Sequence, residues 1–374
     1  MDRRHFLGLT GGAAAAVAVG CGSTSQPPPA EPTQASLSPT SSGAGAPAAT
    51  GATTTPPPTA AALVPASPSP AASSKLTEYP VKRGSGPHDV APAPDGTVWY
   101  TGQRNGTLGR LDPTTGTFDE IALGSGSSPH GVIVASDGGA WVTDSGRDEI
   151  QRVDPKSGDI QRFPLPGKPG ANLNTAAFDG RGNLWYTGQN GWYGSVDPRS
   201  AKVDLYSAPR GRGPYGITGT PGGDIYYASL AGNHIAKVNL DTGAATPIAP
   251  PTPNAGPRRV WSDSQGRIWV SEWNAGQVGL YDPATGAWKE WKLPGSRPQC
   301  YAVFVDERDI VWLTDFGANA IVRFDPVTEQ FTSFPLGPDT ASVRQLLGRP
   351  GEVWGSRSTG GASGSGDVLV VVRS

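Results

Sequence analysis

Two cysteines in 374 residues, Cys21 and Cys300, with no CxxC or CxxCH spacing, cannot make a disulfide framework and argue against structural zinc or covalent haem. Charge of one sign is also missing. Thirty Lys and Arg stand against 32 Asp and Glu, a formal net charge of −2 with no long basic run. Attraction to nucleic-acid phosphates therefore has no evident source. There is no GxSxG, Walker loop or HExxH. Helical periodicity is absent from residue 76 onward, and the one N-terminal apolar run is too short to span a bilayer comfortably. Only four histidines occur, yet two sit in near-identical pentapeptides, GPHDV at 86–90 and SPHGV at 128–132.

What is present begins with MDRRHFLGLTGGAAAAVAVGCG, where Arg3 and Arg4 precede a short Gly/Ala-rich stretch. Residues 1–21 read as a signal peptide of the twin-arginine kind. AVGC at 18–21 resembles a lipobox, which implies acylation of Cys21 and membrane attachment by that lipid alone; without it the protein is secreted. Residues 22–74 are Pro, Ala, Ser, Thr and Gly with one charge, Glu31. Such a segment buries too little apolar surface to order itself and serves as a tether of roughly 40 Å reach.

From Leu76 the chain repeats. An aromatic recurs at Trp99, Trp141, Trp185, Tyr226, Trp269, Trp312 and Trp354, spaced 41 to 44 residues apart. A turn signal trails it, as in LDPTTG, VDPKSG and YDPATG. Each repeat holds four short strands, which predicts an all-β, seven-bladed propeller over residues 75–374. The seventh repeat ends on its third strand, DVLVVVRS, so residues 75–82 are expected to supply the fourth and close the ring. A monomer is expected.

Counting eleven residues back from each aromatic gives His88, His130, Asn174, Tyr215, Arg258, Tyr301 and, with the last register open, Val343 or Arg344. This position opens the innermost strand, so these side chains should rim one mouth of the central channel. Such a rim suits a small anionic molecule or peptide, although propeller channels also carry polar residues without using them. Three residues after the aromatic in blades one to six lie Gly102, Asp144, Gly188, Ser229, Glu272 and Asp315. Asp144, Glu272 and Asp315 could hold Mg²⁺, a hard cation that prefers oxygen, or could equally cap turns. His234 reads as structural, Cys300 as a small buried side chain, and Trp192 as a loop residue free to stack.

The segments VWYTGQRNGTLGRLDP at 98–113, GPYGIT at 213–218, IWVSEWNAGQVGLYDP at 268–283 and VWLTDFGANAIVRFDP at 311–326 resemble the streptogramin B lyases, or virginiamycin B lyases, over nearly all of residues 76–374. The resemblance implies a seven-bladed propeller that opens a cyclic depsipeptide at its ester by elimination, with Mg²⁺. It also implies histidines at the post-proline position of the last two blades, with glutamates nearby. Here those positions hold Tyr301 and either Val343 or Arg344, and the glutamate positions fall near Ser342 and at Arg357 or Ser358. Histidines stand instead on the adjacent blades one and two, with Asp144 also on blade two, as if the site were rotated around the ring. The competing expectation is a non-catalytic propeller that binds its ligand at the rim.

Overall fold

The computed structural model describes residues 75–337, 343–358 and 366–373. The signal peptide, Cys21 and the 22–74 tether lie outside the described residues, as does Ser342. Seven four-stranded antiparallel sheets follow one another, and no helix occurs among the described residues. In six sheets the strands run in chain order from the channel outward. The seventh has the order Leu346–Arg349, Glu352–Arg357, Val368–Arg373, Lys75–Pro80, so the first strand of the domain completes the last blade. Its register runs from Lys75 opposite Arg373 to Pro80 opposite Val368.

The recurring aromatics hold blade to blade. Each is at most 2% exposed and packs with residues of the following blade: Trp141 with Leu173 and Leu184, Trp185 with Ile217 and Tyr227, Trp354 with Val90 and Tyr100. Several also stack on an aromatic from the outer strand of their own blade, Trp141 on Phe163 at 5.3 Å and Trp269 on Trp291 at 5.5 Å. In blade seven that partner is Tyr79, 5.5 Å from Trp354, and it comes from the opposite end of the chain. Burying an aromatic of this size contributes a few kcal/mol, and truncation to Ala costs about 3–5 kcal/mol.

A β-bulge recurs in the innermost strand of six blades, at Pro87/Val90, Pro129/Gly131, Leu173/Ala176, Pro214/Ile217, Pro257/Arg259 and Cys300/Val303. A bulge opposes two residues to one and re-aims their side chains. A hydroxyl two residues after the aromatic stitches this irregular stretch to the next blade. Thr101 donates to the His130 carbonyl at 2.9 Å and Ser271 to that of Tyr301 at 2.6 Å, and Ser356 closes the series on the His88 carbonyl.

Candidate functional site

The bulges bring six of the sequence-predicted rim residues to one end of the channel, and the open register of the seventh resolves. In six blades the residue opposite the aromatic lies eight positions before it, as Ala91 does opposite Trp99. In blade seven Leu347 lies opposite Trp354, seven before, because that hairpin is one residue shorter. The rim residue is therefore Arg344. Val343 is fully buried in the core between the blades.

The rim side chains do not stand around an open hole. His88, His130, Asn174, Tyr215 and Tyr301 are each at most 6% exposed and meet to form a floor across the mouth. The imidazoles of His88 and His130 lie 3.9 Å apart between centroids, and Asn174 Nδ2 is 3.2 Å from His130 Nε2. On the other side Arg258 lies 3.7 Å over the Tyr301 ring and 4.6 Å over the Tyr215 ring, and donates to the Tyr215 hydroxyl at 3.1 Å. The two phenols also share a hydrogen bond with each other. Arg344 Nη1 reaches Ser358 Oγ at 3.4 Å.

Two floor residues escaped the eleven-residue count because the bulge turns the next position inward as well. Asp89 Oδ1 lies 2.8 Å from His88 Nδ1, and Arg259 of blade five reaches the same carboxylate oxygen at 3.4 Å from across the channel. Pro-His-Asp in the first pentapeptide was the available signal. Below this layer the channel narrows to a cavity of about 30 Å³ lined by Asp89, Thr175, Arg259 and Gln345, room for little more than water.

Burial sets the protonation of this floor. It holds His88 well below the usual imidazole value, reinforced by the guanidiniums of Arg259, Arg344 and Arg258. Burial likewise lowers His130, with His88 and Arg259 adding to it. The His88–Asp89 contact thus joins a neutral imidazole to the carboxyl through Nδ1. Burial raises the Asp89 carboxyl against the pull of Arg259. It also pushes the Tyr215 phenol up, but Arg258, Arg259 and the hydrogen bond from Tyr301 outweigh it and hold that phenol below its ordinary value.

The sequence-predicted carboxylates are not brought together. Asp144 accepts from the Ser128, Gly146 and Arg147 amides and from Gln151, and so caps the loops of blade two. Asp315 does the same for the Gln299 and Gly317 amides. Glu272 is fully buried beside Gln277, and burial pushes its carboxyl up to about 8. Among the described residues only His88, Asp89 and His130 place three potential ligand atoms within 4.8 Å of one another. That set offers two nitrogens and one carboxylate already engaged by Arg259, with Arg258 and Arg344 nearby. It does not fit Mg²⁺, which wants several oxygens in octahedral array. Nor does Asp144 join the histidines; the partner carboxylate is Asp89 on blade one.

The remaining expectations divide. His234 Nδ1 bonds the Gly232 carbonyl at 3.0 Å and the ring is buried against Tyr227, away from the floor. Cys300 is buried, and burial pushes its thiol up. Trp192 is not a loop residue. It begins the strand Trp192–Val196 and packs in the core between blades two and three, because Gly191 already makes the turn with φ +97°.

The sequence profile of the virginiamycin B lyase family matches residues 74–363. The chain belongs to the virginiamycin B lyase family. A streptogramin B lyase structure is 23% identical with a TM-score of 0.72, covering 80% of this chain and 98% of that one. Virginiamycin B lyase from Staphylococcus aureus is 21% identical with a TM-score of 0.73, covering 80% and 99%. A catalytically inactive variant of the latter, solved with Quinupristin, matches to the same extent. No curated protein matches the chain by sequence. This member of the virginiamycin B lyase family carries its mouth histidines on blades one and two, with tyrosine and arginine at the mouth on blades six and seven.

Proposed function

We propose that the propeller is an exported carbon–oxygen lyase that opens a cyclic depsipeptide, or a related lactone or ester, by elimination on the floor of its channel mouth. The carrying observation is the Asp89–His88 pair, 2.8 Å apart beside three guanidinium groups. Asp89 fixes the tautomer by accepting from Nδ1, and Nε2 of the neutral ring is the base. It takes the proton from the carbon next to the substrate carbonyl. The electron pair enters a new C=C bond, the ester C–O bond breaks, and the departing oxygen leaves as carboxylate. Arg258, Arg344 and the Tyr215 hydroxyl are the donors for the charge that gathers on the carbonyl oxygen in between. The RRHFL stretch and Cys21 support export and a lipid anchor at the membrane.

The test is incubation of the full chain with a streptogramin B and mass analysis. Elimination opens the ring at unchanged mass, whereas hydrolysis adds a water. Replacing His88 with Ala should lower the rate by about 10²–10⁴; a variant as fast as the parent overturns the assignment. A second reading, ligand binding without turnover, is favoured by the unpartnered, buried Nε atoms of Arg258 and Arg259, which ask for an anionic acceptor. Binding without any opened product would select it.

A further inference from the structure

On blades five and six an aromatic wall adjoins the floor. Trp273 and Phe316 each stand four residues after their recurring aromatic, one past Glu272 and Asp315. While those carboxylates turn into their blades, Trp273 and Phe316 turn toward the mouth and stay half-buried. Phe316 stacks on Tyr301 with centroids 4.6 Å apart and planes 13° from parallel. Trp273 meets Tyr301 edge-on at 5.6 Å and Phe316 edge-on at 5.4 Å. Arg258 sits among these rings, 4.9 Å over Trp273 as well as over both tyrosines, and its Nε has no partner.

Three aromatic faces around one point form the kind of cage that takes an ammonium ligand. Here the protein's own guanidinium already fills it. A second cation would meet Arg258, with Arg259 and Arg344 close by, so the cage repels positive ligands and presents a fixed positive charge edged by exposed ring surface. The complementary molecule carries a negative or carbonyl oxygen for Arg258 and, a few ångströms away, a flat ring for Trp273 and Phe316.

We infer that the blade-five and blade-six side of the mouth is a subsite for an aryl group next to a carboxylate or ester carbonyl. This rests on the reading of the mouth as the functional site and names the class of substrate it takes. Elimination at that carbonyl is a separate claim, and binding alone tests the subsite.

The probes are N-acetyl-phenylalanine, N-acetyl-alanine and phenethylammonium, titrated by calorimetry into the full chain. The aryl carboxylate should bind about three- to tenfold more tightly than the aliphatic one, and the cation should not bind. Trp273→Ala should erase the preference for the aryl probe while Trp273→Phe largely keeps it, with circular dichroism checking that both fold. Equal binding of the two carboxylates, binding of the cation, or a preference that survives in Trp273→Ala overturns the subsite. If the aryl preference holds and streptogramin B stays closed, the lyase reading fails and the subsite stands.

Discussion

Burial acts on His88 and on Glu272 in the same way, by penalising charge, and the two groups answer with opposite consequences. For His88 the neutral form is the reactive one, so a lowered pKa extends activity toward acid. The pH profile of kcat/KM should stay flat through 6.5 and fall only below it; an acid limb centred at 6.5 would show that another base is at work. For Glu272 the penalty falls on stability. The unfolded carboxyl ionises near 4.5 and the folded one near 8, so between these values the unfolded state binds fewer protons. Stability therefore falls as pH rises through that window, by up to about 1.4 kcal/mol per unit. Glu272→Gln should leave Tm unchanged at pH 4 and raise it at pH 8, as scanning calorimetry would record; an equal shift at both would sink the account. Asp89 carries a different liability, because its loss leaves Arg259 buried and unpaired. Asp89→Ala should cost about 3–5 kcal/mol in denaturant unfolding, well beyond Asp89→Asn.

At the scale of the strand, the bulge explains which parts of the site were legible. Rim residues from His88 to Tyr301 follow from one offset, because six blades place the same irregularity at the same distance from the aromatic. Arg344 does not, since a hairpin shorter by one residue shifts the count. Asp89 and Arg259 lie 170 positions apart, and no local pattern pairs residues across a channel. The carboxylates misled for a related reason. Position three after the aromatic ends the second strand facing the loop amides, as Asp144 and Asp315 do, and on blades five and six it is position four that faces the mouth. The outer strand Lys75–Pro80 is an element with its own test. Removing it uncovers the edge of Val368–Arg373 and strips Tyr79 from Trp354. A chain beginning at Val81 should aggregate or lose its cooperative melt; a monomer melting like the parent would refute the role given to closure.

Over the whole ring, the architecture was readable because seven copies of one weak signal add up, and a single strand pattern would not have sufficed. Chemistry was less readable, since each blade contributes one or two side chains and their meaning depends on neighbours far away in sequence. The charge balance at the floor, with Arg258, Arg259 and Arg344 against Asp89, leads to a prediction about cations. Exhaustive chelation with EDTA should leave ring opening within about twofold of the untreated rate, given that each tenfold loss needs about 1.4 kcal/mol. Activity abolished by chelation and restored by Mg²⁺ would overturn the assignment of the donor set.

The chain's earliest strand is also its outermost, and this decides how the molecule yields to mechanical load. Tension delivered through the N-terminal segment enters at Lys75, whose neighbour across the ladder is Arg373, almost at the other terminus. Six residues of ladder take that load first, so a pull from this side opens the ring at the seam where its two ends meet.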